Sequence, residues 1–246
     1  MLRSALVIVA HPDDETMLMG GVLALLASQG VELHIACATR GEGGELGEPP
    51  AATRATLGST REQELRCAAK QLGAKHVTLL GYIDPLIGPE DELFAFSADF
   101  GAFVDQIMAL ARSAEAQLIL THGSDGEYGH PAHALCHLAA LQAAQRLDLL
   151  LYSAAAHVPT IEDRLWNTSD PAHIVLDIRP WLDIKEAAAL CHASQHALFK
   201  RRRQLKTVRG ALRAVEAFHR HHPPPVDEHP NDHFAQLLRA AGGGSP

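Results

Sequence analysis

Two short segments concentrate the groups able to do chemistry. His11-Pro12-Asp13-Asp14-Glu15 places one imidazole and several carboxylates side by side, and Gly129-His130-Pro131-Ala132-His133 places two imidazoles three residues apart. Mixed nitrogen and oxygen donors of this kind suit a divalent cation. Adjacent carboxylates can divide the work, one binding the metal while its neighbour takes a proton from an activated water. The plainer reading of the first segment is a turn of solvated acids in which Asp13 or Asp14 caps the helix that follows. Pro12 has a fixed φ and no N–H, so it holds that turn open. Pro131 starts a helix, and positions i and i+3 share a helix face, so His130 and His133 can address the same point. A catalytic zinc needs three protein ligands and one open position; His11, one aspartate and one of the His pair supply them. His137, four residues further on, reads as a packed or capping histidine.

These residues must be positioned by the elements around them. Residues 5–10 form a continuous aliphatic run, the pattern of a strand covered on both faces. Further strands are expected at 31–38, 77–80, 117–121, 149–153 and 174–178, with helices at 17–28, 61–72, 98–113 and 131–146 and one long helix at 181–203. Residues 39–60 read as a long Gly/Pro/Glu loop and 122–129 as a second polar loop. Strands alternating with helices imply an α/β fold, a mainly parallel sheet with helices on both faces. Ligands in such sheets bind beyond the carboxyl ends of the strands. The segments 11–15, 39–48, 82–84 and 122–133 follow strands and should share one rim. From about Lys206 the chain turns His- and Pro-rich and ends on Gly242-Gly243-Gly244, which reads as a helix end and a partly mobile tail over 206–246, outside a main domain of 1–205.

Composition narrows the classes. The chain has 246 residues, 47% of them apolar and 20% charged, with a net charge of −8. That balance belongs to a globular protein able to bury a core, and the negative charge argues against a nucleic-acid partner. The basic run Lys200-Arg201-Arg202-Arg203 then reads as a solvated helix end, where cations are favoured. Sixteen histidines stand beside two Trp and three Tyr. Cys37, Cys67, Cys136 and Cys191 show no CxxC spacing, so neither a zinc ribbon nor a disulfide framework is expected. The apolar run after Arg3 is short and lacks a cleavage site, and no stretch reaches the roughly 18 apolar residues of a membrane span. A cytoplasmic protein without a membrane partner is the expectation.

With both segments in view, the chain resembles the PIG-L/LmbE-like family of zinc-dependent N-deacetylases. Ala10-His11-Pro12-Asp13-Asp14-Glu15 and Gly129-His130-Pro131-Ala132-His133 carry the resemblance. Thr39-Arg40-Gly41-Glu42-Gly43-Gly44 looks like the family's T-x-G-E-x-G loop, and Arg61, Glu64, Ala68 and Leu72-Gly73 match its R-x-x-E helix. Lys185, Ala188, His192 and Ser194-Gln195 match its K-x-x-A-x-x-x-H-x-S-Q pattern. The resemblance implies a Rossmann-like fold and hydrolysis of an acetamide, usually the N-acetyl group of a glucosamine conjugate, a small-molecule partner. Carried over by position, His11, Asp14 and His133 hold Zn2+ (Fe2+ being the other candidate) and Asp13 is the general base. His130 and Tyr128 stabilise the oxyanion, with His130 also placed to protonate the leaving amine. Arg61 and Glu42 contact substrate, and His192 is either a support or a catalytic group. Relatives often carry Asp where this chain has Ala132. Another residue or a backbone carbonyl must then orient a ligand imidazole here.

Rival readings are weaker. Gly41-x-Gly43 follows the second strand, opens no helix and carries Glu42, Glu45 and Glu48, which would repel a pyrophosphate. No G-x-S-x-G elbow exists for a serine hydrolase. An amidase acting on thiol conjugates and a non-catalytic metal-binding module remain as alternatives, and assembly into a homo-oligomer is compatible with the sequence.

Overall fold

A computed structural model describes residues 1–162, 165–226 and 229–245. In chain order the elements are β1 (Ser4–Val9), α1 (Asp14–Ser28), β2 (Glu32–Thr39), α2 (Leu57–Gln71), β3 (His76–Tyr82), α3 (Phe100–Ser113), β4 (Leu118–Thr121), the single turn α4 (Gly126–Gly129) and α5 (Pro131–Leu147). They continue as β5 (Leu150–Ala154), β6 (Ala156–His157), β7 (Asn167–Pro171), β8 (Ile174–Asp177), α6 (Leu182–Cys191), α7 (His196–Arg203), α8 (Val208–Ala211), β9 (Val215–His222) and α9 (His233–Ala240). The main sheet runs β3-β2-β1-β4-β5-β9-β8, and β6 pairs with β7 apart from it. The five strands from β3 to β5 are mutually parallel, whereas β9 runs antiparallel to both β5 and β8. This is the expected α/β fold, mainly parallel with helices on both faces.

β1 is central, and its side chains alternate between two cores as the strand period requires. Ala5, Val7 and Val9 face the core built with α1, α2 and α6, while Leu6 and Ile8 face the one built with α3 and α5. All five side chains are essentially buried, which is why the run lacks polar alternation.

The C-terminal segment departs most from expectation. It supplies β9 to the sheet, with Ala217 and Phe218 fully buried, and α9 returns Phe234 and Leu238 to the core. Its His-rich half obscured the strand pattern. Glu216 shows how tightly it is bound in. Helix α1 is kinked at Met19 (φ −143°, ψ 16°), and the Glu216 carboxylate accepts the amides of Gly21 at 2.8 Å and Val22 at 2.7 Å just beyond the kink. Lys185 Nζ, itself fully buried, neutralises Glu216 at 2.7 Å. The Lys of the K-x-x-A pattern therefore works through a strand that lay outside every matched motif.

The expected long helix at 181–203 is broken. A 3-10 turn precedes α6, and His192 leaves helical geometry (φ −81°, ψ 56°) before a second turn, Ala193–Gln195. The break lets the Ser194 amide and hydroxyl reach Glu64 of α2 at 2.8 and 2.7 Å. Helix α2 also begins earlier than expected, because buried Leu57 anchors its first turn. Cys67 of α2 and Cys191 of α6 form a disulfide, a pairing across 124 residues that short-range spacing does not reveal. Among the described residues no helix is long and apolar enough to cross a membrane.

Candidate active site

Strand order reverses at β1, with β2 and β3 on one side and β4 and β5 on the other. The loops leaving β1 and β4 diverge there and open a crevice, the usual ligand position in open α/β sheets. This brings residues 11–14 against residues 122–133 although they lie over 100 positions apart. A cavity of about 140 Å³ opens at this point, lined among others by His11, Asp13, Asp14, Arg61, Tyr128 and His130. His133 lies directly behind it, 2% exposed.

Three acceptors converge. His11 Nδ1 lies 3.3 Å from His133 Nε2, and the Asp14 carboxylate lies 3.4 Å from the former and 3.5 Å from the latter. The outer nitrogen of each ring is held by a carboxylate: His11 Nε2 by Asp84 at 3.1 Å and His133 Nδ1 by Glu127 at 2.6 Å. Each outer N–H is thereby fixed, and the inner lone pairs face one another beside an anion. That donor set fits a divalent cation, with the outer carboxylates in the supporting position such ligands normally have. The same field acts on protons. Burial opposes charge on His11, but Asp14 and Asp84 outweigh it and raise its pKa to about 9. Burial likewise works against ionised Asp14, yet His133 and His122 hold its carboxyl well below the usual range.

Glu127 answers the question left by Ala132. Its carboxylate takes His133 Nδ1 at 2.6 Å and His122 Nδ1 at 3.1 Å, and its own amide donates to Asn167 at 2.8 Å. Glu127 sits at φ 61°, a costly conformation for a side chain of its size. The opposing pull of Asn167 and the two rings holds it there. His122 is fully buried and accepts the Ala10 amide at Nε2, 3.0 Å. Burial opposes charge on it, and Glu127 and then Asp14 favour it. The amide bond nevertheless requires a lone pair on Nε2, so the ring is neutral in this arrangement. Sequence reasoning missed Asp84, His122 and Glu127; their position after strands β3 and β4 was the only available signal.

Asp13 stands beside Asp14 at φ 115°, a strained backbone for a non-glycine residue. Its amide donates to Glu15 at 3.0 Å, and Glu15 holds His192 Nε2 at 2.9 Å. His192 is fully buried under the loop and away from the cavity. Arg61 secures the other side: its guanidinium reaches Pro12 O at 2.5 Å, Asp13 Oδ2 at 3.2 Å and Gly41 O at 3.0 Å. A Cβ on Gly41 would lie 2.2 Å from that guanidinium, so the residue there must be glycine. Burial raises the pKa of Asp13 to about 6, with Arg61 pulling the other way.

His130 caps α5 by accepting the Ala132 amide at Nδ1, 3.2 Å, and its ring stacks on His133 at 4.4 Å. Burial and then the nearby His133 push its pKa down to about 2. The ring is neutral, and with Nδ1 an acceptor its proton sits on Nε2. Tyr128 faces the same cavity under Arg202, whose guanidinium carbon is 4.6 Å from the ring centre, and burial lifts its phenol to about 12. Glu42 does not line the cavity. It latches the acidic loop instead, accepting the amides of Arg40 and Asp84 at 3.2 Å each, while Glu45 takes the cavity position. Arg201 of the basic run pairs with Glu45 and Glu48; the side chain of Arg203 lies outside the described residues.

Residues 6–144, more than half of the chain, match the profile of the PIG-L family, described as GlcNAc-PI de-N-acetylase, and the chain belongs to that family. A probable N-acetyl-alpha-D-glucosaminyl L-malate deacetylase 2 of Bacillus cereus is 32% identical over 197 residues, covering 79% of this chain and 84% of that protein. The 1D-myo-inositol 2-acetamido-2-deoxy-alpha-D-glucopyranoside deacetylase of Streptomyces avermitilis is 34% identical over 157 residues, 58% of this chain. The match covers 53% of that protein and 44% of the corresponding deacetylase 3 of Catenulispora acidiphila, so the chain spans about half the length of these relatives. Among solved structures, the N,N'-diacetylchitobiose deacetylase of Pyrococcus horikoshii superposes with a TM-score of 0.62 at 20% identity, over 92% of this chain and 88% of that one. The 4-carboxy-2-hydroxymuconate hydratase GalB of Pseudomonas putida superposes at 0.64 and 24% identity, over 92% and 99%. These likenesses establish the shared fold.

Proposed function

We propose that the chain is a metal-dependent hydrolase that removes the N-acetyl group from an N-acetylglucosamine-type small-molecule conjugate. The observation that carries this reading is the set of three facing acceptors, His11 Nδ1, His133 Nε2 and the Asp14 carboxylate, with a second carboxylate, Asp13, held beside it at the cavity. His11, Asp14 and His133 hold the cation, and two imidazoles with one carboxylate favour Zn2+, with Fe2+ accepted by the same donors. The cation supplies Lewis acidity to water and to the acetamide carbonyl when bound.

The chain's own residues do the rest. Asp13, kept in place by Arg61 and by the Glu15–His192 pair, accepts the proton of the attacking water. The Nε2–H of neutral His130 and the Tyr128 hydroxyl donate to the oxyanion that develops on the carbonyl oxygen. Asp13, protonated by the attack, is placed to return that proton to the leaving nitrogen. Arg61 is a positioning residue that shapes the loop at Gly41, and Glu42 positions the acidic loop through Asp84. A purely structural metal site has no use for a strained second carboxylate beside its ligand, which favours the catalytic reading over a metal-binding module.

The test is acetate release, measured by mass spectrometry, from free N-acetylglucosamine and its malate, inositol and chitobiose conjugates with metal-replete protein. At least one conjugate should react, and Asp13→Ala should abolish release while retaining the metal. A metal-loaded protein inert toward all of them would sink the reading.

A further inference from the structure

A second group of imidazoles lies behind the loop at 122–130, where β7 comes against β9. His219 and His221 are two apart on β9 and so share a face of that strand, and Asp170 comes from β7. One nitrogen of each ring and one Asp170 oxygen lie mutually within 4.8 Å. The rings of His219 and His221 are 4.5 Å apart, and His173 and His137 complete the wall at 4.3 Å from His219 and 4.5 Å from His221. None of these residues lines the active-site cavity.

Hydrogen bonds fix the tautomers of two of these rings. His219 Nδ1 lies 2.7 Å from the Pro171 carbonyl, which can only accept, so the proton is on Nδ1 and Nε2 presents its lone pair. His173 accepts the Arg220 amide at Nδ1, 3.0 Å, which places its proton on Nε2 and makes it a wall residue, not a ligand. His221 Nε2 faces Ser153 Oγ at 2.9 Å and Asp170 Oδ2 at 3.5 Å, and Ser153 Oγ itself donates to that oxygen at 3.3 Å, so a cation bound at Nε2 takes the place of its proton. Asp170 is 3% exposed, and Ser124 anchors it through its amide at 2.8 Å and hydroxyl at 2.6 Å.

We propose that Asp170, His219 and His221 form a second divalent-cation site, separate from the catalytic one. Two imidazoles and a buried carboxylate make a zinc-type donor set, and the Ser153 hydroxyl or a water takes the fourth position. A ligand ring that donates its other N–H to a main-chain carbonyl, as His219 does, has the outer support usual at metal sites. Because Asp170 also holds Ser124, the cation ties β7 and β9 to the loop that carries Tyr128 and His130. The cluster of Glu32, His34 and His76 on the sheet edge is less suited, since Glu32 already pairs with Lys75 at 3.5 Å.

The experiment is Zn2+ titration of the chelator-stripped full chain by calorimetry, with bound metal counted by elemental analysis. Wild type and His76→Gln should bind two equivalents. The double variant His219→Gln/His221→Gln should lose one, and His11→Gln/His133→Gln should lose the other. One equivalent in wild type overturns the proposal, as do two in His219→Gln/His221→Gln or loss of the second in His76→Gln. If the double variant does not fold, diethyl pyrocarbonate labelling of the wild type gives the answer. Zn2+ should protect His219 and His221 from modification, and equal labelling with and without Zn2+ overturns the site.

Discussion

The histidine cluster at the switch point of the sheet and the one where β9 meets β7 differ in their surroundings. At the switch point the outer nitrogens of His11 and His133 rest on carboxylates, Asp84 and Glu127. Where β9 meets β7 the outer nitrogens of His219 and His137 rest on main-chain carbonyls, those of Pro171 and His122. A carboxylate makes an imidazole more basic and a better partner for a cation, whereas a carbonyl mainly fixes the tautomer. The first cluster also has a spare carboxylate, Asp13, facing an open cavity. Among the described residues the β7–β9 cluster has none. Two imidazoles and one carboxylate therefore suit a cation, and a further carboxylate beside them suits proton transfer.

The largest expected effect removes that spare carboxylate. Asp13→Asn keeps size and hydrogen bonding but cannot accept the proton, so acetate release should fall about 10²–10⁴-fold, the range for a general base. Metal content should not change; loss of both together would mean Asp13 is a ligand and erase the distinction drawn here.

Next comes the link between the two regions. Glu216 lies on β9, three residues before His219, and its carboxylate receives the α1 amides just past the kink. Glu216→Ala leaves Lys185 charged and buried without this partner, and denaturant unfolding should show a loss of about 3–5 kcal/mol. A change below about 1 kcal/mol would show that water replaces the carboxylate and that β9 is only loosely coupled to α1.

Glu127→Gln sharpens the contrast between the supports. Zn2+ affinity at the His11/Asp14/His133 cluster should fall about 10–100-fold, the usual result of losing an outer-shell acceptor. Affinity at the β7–β9 cluster should be unaltered, and equal weakening at both would mean that the loop, not the carboxylate, governs the effect.

The smallest effect concerns acid. Burial, with His221 adding to it, pushes the pKa of His137 down to about 4 from the usual 6.5. The fold therefore favours the neutral ring. That contribution is complete above pH 6.5 and is lost as pH falls toward 4. Chelator-stripped protein should lose about 1–3 kcal/mol across this window through His137, and His137→Gln should flatten that part of the Tm–pH profile. An unchanged profile in the variant would show that His137 is free to charge in the folded state.

Much of this was legible in the chain. The aliphatic run at β1, the alternation of strands and helices and the two Pro-containing His segments are local patterns, because side-chain period and proline geometry act over a few residues. They were sufficient to place His11, Asp13, Asp14, His130 and His133 on one rim. Glu42 was expected at the substrate and instead latches the loop, since a side chain's direction in an irregular loop depends on its partner, here the Asp84 amide. The C-terminal segment reads as a helix end and tail because His219, His221 and His222 hide a strand that buries Ala217 and Phe218.

What the sequence determined by itself is the fold class and which segments meet at the crevice. Only the tertiary structure decided which acids support them. Glu127 takes the outer nitrogen of His133, Asp84 that of His11, and Glu216 closes the kink in α1. Each of these pairings joins different segments of the chain. A carboxylate is chosen for such a place by the distance and burial of its partner, which exist only once the strands are side by side.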